Sequence, residues 1–113
     1  AMLLEEEREK AQSQVEIKLF ATDAHPASIQ VAARGIYSAH AIEDIDLSRR
    51  ERFFRKHSDG WQVTPELRQS IVFATHNFLC DAPFTQLDLV SCRNALIYLQ
   101  PPAQSKSISK FHF

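Results

Sequence analysis

Segments typical of β-strands alternate with segments typical of helices along this chain. Residues 15–21 alternate apolar and polar side chains, residues 71–76 form an apolar run, and residues 87–92 form another, interrupted by Asp88. Strands separated by helices are typical of a parallel sheet covered on its faces, the doubly wound arrangement. We therefore predict an α/β fold with three parallel strands.

Helix signals lie between these strands. Pro26 suits the first turn of a helix that Gly35 ends, and Thr64 with Pro65 is typical of another helix start. Ser48 is expected near the start of a charged helix. The remaining predictions are helices over residues 1–14 and 44–56, a turn at 57–60, an extended segment at 61–63, a helical turn at 95–99 and a helix from residue 101.

Charge and composition exclude several classes of partner. The 13 basic and 14 acidic side chains give a net charge of -1, which provides no overall field for nucleic acid or an anionic membrane. No apolar run approaches the ~20 residues that span a bilayer, so no membrane insertion is expected. Cys80 and Cys92 lack the spacing of zinc ligands and are expected to be free thiols. We expect a cytoplasmic protein without a metal ion.

Ligands of doubly wound sheets bind beyond the carboxyl ends of the strands, where this sequence places polar residues. Asp23 follows the first strand, and its carboxylate suits either the two hydroxyls of a ribose or the cap of the next helix. Asn77 follows the second strand, where an amide can donate to and accept from an adenine edge. Position alone favours the other interpretation, in which Asn77 is a turn residue that tolerates left-handed backbone.

Arg93 and Asn94 follow the third predicted strand. An arginine here can bind a ligand carboxylate with both arms of its guanidinium, or it can pair with Asp88 or Asp81. Tyr98 comes one helical turn after Asn94 and is expected on the same face, where it either reaches the site or packs in the core.

A basic cluster interrupts the middle of the chain. Its members are Arg49, Arg50, Arg52, Arg55 and Lys56. Such a run is either a solvated helix face or a surface that docks on an acidic protein. Only Gly35 and Gly60 are glycines, so if this chain binds a nucleotide, the glycine loop is expected outside it.

Several stretches together resemble one protein family. They are FATD with ARGIY at residues 20–23 and 33–37, RFF with WQV and LR at 52–54, 61–63 and 67–68, FATHNFL with PF at 73–79 and 83–84, and LDLVSCRNALIY at 87–98. The order and sequence of these stretches resemble the chemotaxis receptor methyltransferases of the CheR family. The resemblance covers nearly the whole chain.

The resemblance implies a Rossmann-like class I methyltransferase sheet and methyl transfer from S-adenosylmethionine to glutamate side chains of a helical chemoreceptor, leaving S-adenosylhomocysteine. It also assigns residues. Asp23 would bind the ribose, Asn77 and Phe78 the adenine region, and Arg93, Asn94 and Tyr98 the methionine end or the incoming carboxylate, with Arg93 and Tyr98 as catalytic residues. The basic cluster would dock on the receptor.

Comparison with the family motifs predicts a sheet truncated at both ends, with the glycine loop upstream and the last strands downstream. The 113-residue piece is therefore expected to be inactive alone and able to self-associate through open sheet edges. Residues 38–63 are expected to correspond to a reduced form of the small β-subdomain that grips a receptor tail in some members. The alternative function is a non-catalytic, methyltransferase-like signalling module of a multidomain sensory protein, with a small-molecule methyltransferase as a more distant one.

Overall fold

The computed structural model describes residues 1–93 and 95–109, and all structural statements below refer to these residues. The chain divides into two compact units, Ala1–Thr75 and His76–Phe113. The first unit contains helices α1 (Met2–Lys10), α2 (Pro26–Arg34), α3 (Leu47–Phe53) and α4 (Pro65–Gln69), and strands β1 (Leu19–Asp23), β2 (Ile36–Tyr37), β3 (Phe54–His57), β4 (Gly60–Val63) and β5 (Ile71–Thr75). The second contains a 3₁₀ turn at Leu96–Tyr98 and helix α5 (Pro101–Ser109).

Strands β1 and β5 pair in parallel, which confirms the predicted relation between the first two strands. Their register runs from Leu19 opposite Ile71 to Asp23 opposite Thr75, so both strands end at the same edge. The crossover between them includes α2, which ends at Gly35 in the left-handed conformation (φ 64°), as the sequence predicts. The fold is therefore mixed α/β with a parallel pair.

Arg68 on α4 connects the parallel strand pair to α2 through hydrogen bonds. Its Nε donates to the carbonyl of Ala33 (3.2 Å), and its Nη1 donates to the carbonyl of Ile71 (2.8 Å). The guanidinium also lies 4.4 Å from the ring centroid of Phe73 on β5. One side chain thus holds a helix end, the start of a strand and an aromatic face in place.

A second, antiparallel sheet has the strand order β2-β4-β3. The predicted turn at 57–60 joins β3 to β4. Gly60 has φ 139°, and a Cβ atom there would lie 2.3 Å from the carbonyl oxygen of Tyr37, so only glycine fits this approach of β2. The sheet falls largely within the predicted 38–63 insert. Its correspondence to a reduced subdomain stays a prediction.

The buried core of the first unit lies beside this antiparallel sheet. It consists of Ile42, Phe53, Phe54 and Leu67, with Tyr37, Trp61 and Val63 among the half-buried residues packed against it. The rings of Tyr37 and Phe54 meet edge to face at a centroid distance of 6.4 Å. The adjacent phenylalanines at the α3–β3 junction therefore supply much of the core.

Two predicted boundaries were wrong. Strand β1 begins at Leu19 rather than at residue 15, and Val15 is exposed. Leu19 faces Ile71, the first residue of β5, so residues 15–18 have no strand to pair with. Helix α3 begins at Leu47 rather than at residue 44, because Asp46 caps it by accepting from the backbone N–H of Arg49 (3.1 Å). Ser48 lies near the start of the helix, as predicted.

The predicted helix over residues 44–56 also ends early. It stops at Phe53, and Phe54 starts β3, which pairs along its whole length with β4. Pairing with β4 places Phe54 opposite Val63 at the core, which explains why tertiary contacts override the helical signal of the charged run.

The third predicted strand was wrong. Residues 87–92 form no strand, and Leu89 is 71% exposed. An extended segment becomes a strand only when neighbouring backbone accepts and donates its hydrogen bonds. No strand is present elsewhere in the described part of the second unit, so the apolar pattern there has no partner.

Candidate functional site

Asp23 is the last residue of β1, at the shared carboxyl edge of the parallel pair. Its Oδ1 accepts from the backbone N–H of His25 (2.7 Å), and the side chain is exposed. His25, not Asp23, is the N-cap residue of α2. The interpretation of Asp23 as the cap of α2 is therefore wrong. Oδ1 of Asp23 instead holds the turn before the helix, and Oδ2 has no partner within the described residues.

Asn77 lies two residues after β5, in a tight loop. Its side-chain Oδ1 accepts from the backbone N–H of Leu79 (3.1 Å), and its own backbone N–H donates to Oδ2 of Asp81 (2.7 Å). Its carbonyl accepts from the N–H groups of Cys80 (3.0 Å) and Asp81 (2.8 Å). The turn interpretation is confirmed. The amide oxygen already has one partner, so the NH₂ group is the part left to bind a ligand.

His76 lies between β5 and Asn77, and a lone histidine at a strand end is more often packed or solvated than catalytic. Its Nε2 lies 3.0 Å from the carbonyl oxygen of Ala82, and its ring lies 4.7 Å from that of Phe84, tilted by 42°. In the sequence, the one sign of this contact is a histidine followed eight positions later by an aromatic residue, and that signal is weak. Phe78, the other predicted adenine contact, is half-buried in the same loop.

Arg93 and Tyr98 are both exposed, Tyr98 at 80%. Arg93 makes no ion pair with Asp81 or Asp88 in the described part of the chain. Its predicted position at a strand end was wrong, because residues 87–92 form no strand. Tyr98 ends the 3₁₀ turn and is not a core residue of the described structure. Asn94 lies outside the described residues, and its role stays a prediction.

The predicted site residues divide between the two units. Asp23 belongs to the first unit, and Asn77, Phe78, Arg93 and Tyr98 belong to the second. Within the second unit, Asn77 and Phe78 share the loop that follows β5. Their placement fits the expectation that ligand contacts follow strand ends.

Two members of the basic cluster are bound to helix α1. The Nε and Nη2 atoms of Arg49 donate to the two carboxylate oxygens of Glu6 at 2.8 and 2.9 Å, and Arg52 pairs with Glu9. The docking role of the five-residue cluster stays a prediction, but Arg49 and Arg52, each partly exposed, already pair with carboxylates of this chain. The reason is that α1 presents its carboxylates, one helical turn apart, to arginines one turn apart on α3.

The other members of the cluster differ from one another. Nη1 of Arg55 donates to the carbonyls of Glu51 (2.7 Å) and Phe54 (2.9 Å). The Arg55 side chain thus binds backbone carbonyls at the C-terminal end of α3 while it stays exposed. Nε of Arg50 is buried without a hydrogen-bond partner. Lys56 is exposed and has no ion-pair partner among the described residues. Arg55 and Lys56 are the exposed cluster members whose charge is not paired with a carboxylate of the described residues.

The Glu6–Arg49 pair makes a pH-dependent contribution to stability. Hydrogen bonds from Arg49 hold the pKa of Glu6 below its usual value of 4.5. Because the folded-state pKa is the lower one, the contribution is present above pH 4.5 and is lost as pH falls through the lowered value. Glu6→Gln should therefore lower the melting temperature at pH 7, and the difference from wild type should vanish in acid.

Thermal melts from pH 7 down to pH 3 check this expectation. Glu7→Gln is the matched control, because Glu7 lies on the same helix but pairs only with Lys10 of α1. A Glu6→Gln deficit that stays constant across the pH range would show that the carboxylate charge is not the stabilising feature.

Residues 1–93 and 95–109 contain no cluster of three or more His, Cys, Asp or Glu side chains that could hold a metal ion. None of the helices in these ranges is long and apolar enough to cross a membrane.

Comparison with known proteins decides the family. The family described as CheR methyltransferase, SAM binding domain, matches residues 1–113. The chain belongs to this family. The predicted resemblance is confirmed, and the cofactor of this CheR domain is S-adenosylmethionine.

Three relatives that are longer than the CheR chain match it over part of their length. An uncharacterized 104.1 kDa protein of Rhodobacter capsulatus is 42% identical over 113 residues, all of this chain and 12% of that protein. A chemotaxis protein methyltransferase of Listeria innocua is 33% identical over 93 residues, 82% of this chain and 36% of the relative. Chemotaxis protein methyltransferase 2 of Vibrio cholerae is 31% identical over 103 residues, 88% of this chain and 36% of the relative. The chain thus spans about a third or less of these relatives.

The free polar groups of this CheR domain fit a nucleoside cofactor. Oδ2 of Asp23 is an exposed acceptor suited to a ribose hydroxyl, and the NH₂ group of Asn77 is a donor suited to a purine ring nitrogen. Neither group is consumed by the local hydrogen bonds that orient it. Each group taken by itself, one in each unit, has a hydrogen-bonding capacity that suits a nucleoside.

Proposed function

We propose that the protein carrying this CheR domain transfers a methyl group from S-adenosylmethionine to glutamate side chains of a chemoreceptor. The observation that carries the proposal is the match of residues 1–113 to the SAM binding domain of the CheR methyltransferases. Relatives from Listeria innocua and Vibrio cholerae, which bear the name chemotaxis protein methyltransferase, support the receptor substrate. The non-catalytic alternative is not favoured by these relatives.

Asp23 and Asn77 bind the nucleoside part of the cofactor in this proposal. The exposed carboxylate of Asp23 accepts hydrogen bonds from the ribose hydroxyls, while its Oδ1 stays oriented by the N–H of His25. The NH₂ group of Asn77 donates to the adenine ring, and Phe78 packs beside it. Both polar groups are held by backbone donors before any ligand arrives, which lowers the entropy lost on binding.

We assign three residues to binding a carboxylate, either that of the methionine end of the cofactor or that of the incoming glutamate. They are Arg93, Asn94 and Tyr98. The exposed guanidinium of Arg93 binds a carboxylate with two parallel hydrogen bonds, and Tyr98 offers its hydroxyl. Bound S-adenosylmethionine supplies an electrophilic methyl group on a sulfonium centre. A glutamate carboxylate is ionised at neutral pH, so no general base is needed. The residues act by orienting the carboxylate in line with the methyl group and by excluding water.

The test is methylation by the full-length protein, with S-adenosylmethionine labelled in its methyl group and a purified chemoreceptor cytoplasmic domain. Carboxyl methyl esters hydrolyse in alkali, so the label should enter the receptor and leave it as methanol at high pH. A receptor whose candidate glutamates are replaced by alanine is the control. A protein that binds the cofactor but never labels a receptor would support the non-catalytic module instead.

We further propose that Arg55 and Lys56 dock on an acidic face of the receptor. They are the exposed cluster members without a paired carboxylate in the described residues, whereas Arg49 and Arg52 form ion pairs with Glu6 and Glu9 of α1. The double replacement Arg55→Glu with Lys56→Glu should lower kcat/KM for the receptor about tenfold at low salt and less at high salt. The dissociation constant for S-adenosylhomocysteine should not change.

Lys18→Glu with Arg34→Glu is the charge-matched control for docking, because both side chains are exposed, lie outside the cluster and form no ion pair within the described residues. Receptor methylation that is unchanged by charge reversal at Arg55 and Lys56, and by salt, would show that the cluster is a solvated face.

Cytoplasmic location and self-association of the chain stay predictions.

A further inference from the structure

We infer that His76 is a positioning residue for the adenine contact, because it closes the loop that carries Asn77. This inference rests on the proposed function, in which Asn77 donates to the adenine ring. Nε2 of His76 lies 3.0 Å from the carbonyl oxygen of Ala82. A carbonyl only accepts, so this contact requires the proton on Nε2. The bond joins the two ends of a segment of seven residues.

The loop orients Asn77 through local hydrogen bonds. Its backbone N–H is held by Asp81 and its side-chain oxygen by the N–H of Leu79. The direction of the remaining NH₂ group therefore follows the shape of the loop. Any change that lets residues 77–82 relax will turn this donor away from its position.

His76 constrains that shape in two ways at once. Its hydrogen bond fixes the position of Ala82, and its ring packs on Phe84 at a centroid distance of 4.7 Å. An imidazole has only two side-chain torsions, so both contacts are made with little loss of conformational entropy. His76 acts through Asn77 and does not itself touch the cofactor in this assignment.

Three replacements at His76 separate these contributions. Gln keeps an N–H donor at about the reach of Nε2, Phe keeps the ring that packs on Phe84, and Ala removes both. We expect His76→Phe and His76→Ala to raise the dissociation constant for S-adenosylhomocysteine about tenfold, roughly the effect of one misplaced hydrogen bond. His76→Gln should stay within about threefold of wild type. Calorimetry on the full-length protein measures all of them.

A double-mutant cycle distinguishes positioning from a general loss of structure. If His76 acts through Asn77, His76→Phe should raise the dissociation constant less than about twofold when Asn77→Ala is already present. In steady-state kinetics, His76→Phe should raise KM for S-adenosylmethionine about tenfold and leave kcat within about twofold. Equal effects of His76→Phe in both backgrounds would overturn the inference.

The wild-type measurement tells this inference apart from the proposed function. Wild-type protein that does not bind S-adenosylhomocysteine would overturn the proposed function and the inference with it. Tight wild-type binding together with unchanged affinity in His76→Phe and His76→Ala would overturn the inference alone. Tight wild-type binding that Gln retains and Phe loses would support it.

Discussion

Asp23→Ala in the full-length protein is expected to weaken S-adenosylhomocysteine binding by roughly ten- to a hundredfold, because a charged hydrogen bond contributes about 1.5–3 kcal/mol. The carboxylate lies at the carboxyl edge of the parallel pair, exposed, with Oδ2 free of partners in the described structure. Its removal buries no unpaired group, since the N–H of His25 is also exposed. The expected change is therefore in ligand affinity and not in folding.

Asp23→Asn is the matched control for this prediction. Asparagine keeps an Oδ1 acceptor for the N–H of His25 and removes only the charge and one acceptor. The affinity of Asp23→Asn for S-adenosylhomocysteine should fall between those of wild type and Asp23→Ala. All three melting temperatures should lie within about 2 °C of one another, because a substitution at an exposed side chain changes stability little. Calorimetric titration and thermal melts supply both readouts. Unchanged affinity in Asp23→Ala would remove this residue from the site.

Phe54→Ala is expected to destabilise the protein by about 3–5 kcal/mol, the usual range for a buried phenylalanine. Phe54 is 5% exposed, packs with Ile42, Phe53 and Leu67, and meets the ring of Tyr37 edge to face. The replacement leaves a cavity at the point where helix α3 passes into strand β3. Such a loss is a large fraction of the roughly 5–15 kcal/mol that stabilises a domain.

Denaturant unfolding measures this effect, with two comparisons. Phe54→Leu should cost less than about 2 kcal/mol, since it keeps most of the apolar volume. Leu3→Ala, at a residue that is 61% exposed, should cost no more than about 0.5 kcal/mol. A Phe54→Ala variant as stable as Leu3→Ala would mean that the cluster around Ile42 does not support the fold.

The candidate site was predictable from sequence where a residue's position depends on strand order and turn chemistry. Asp23 ends β1 and Asn77 follows β5, and they were found at these places because strand ends and polar turn residues are local signals. The hydrogen bonds that decide how these residues can act were not predictable. The N–H of Leu79 takes one acceptor site of the Asn77 amide oxygen, and His76 bonds Ala82. Both depend on how the loop closes.

The basic cluster shows the same division. A run of arginines is visible in any sequence, but the partners of Arg49 and Arg52 are 43 residues away on α1. Only the packing of α1 against α3 brings those carboxylates within reach. Local sequence therefore identified the charges, and tertiary structure decided that two of them are structural.

Local sequence by itself determined the helix that Gly35 ends, the turn at Gly60 and membership of the CheR family. In each of these, the deciding interactions lie within a few residues or within a specific motif. Tertiary structure alone decided where β1 begins, where α3 gives way to β3, and that residues 87–92 form no strand. These outcomes depend on backbone partners distant in sequence. A strand exists only as far as a neighbouring strand pairs with it, and no local pattern specifies that neighbour.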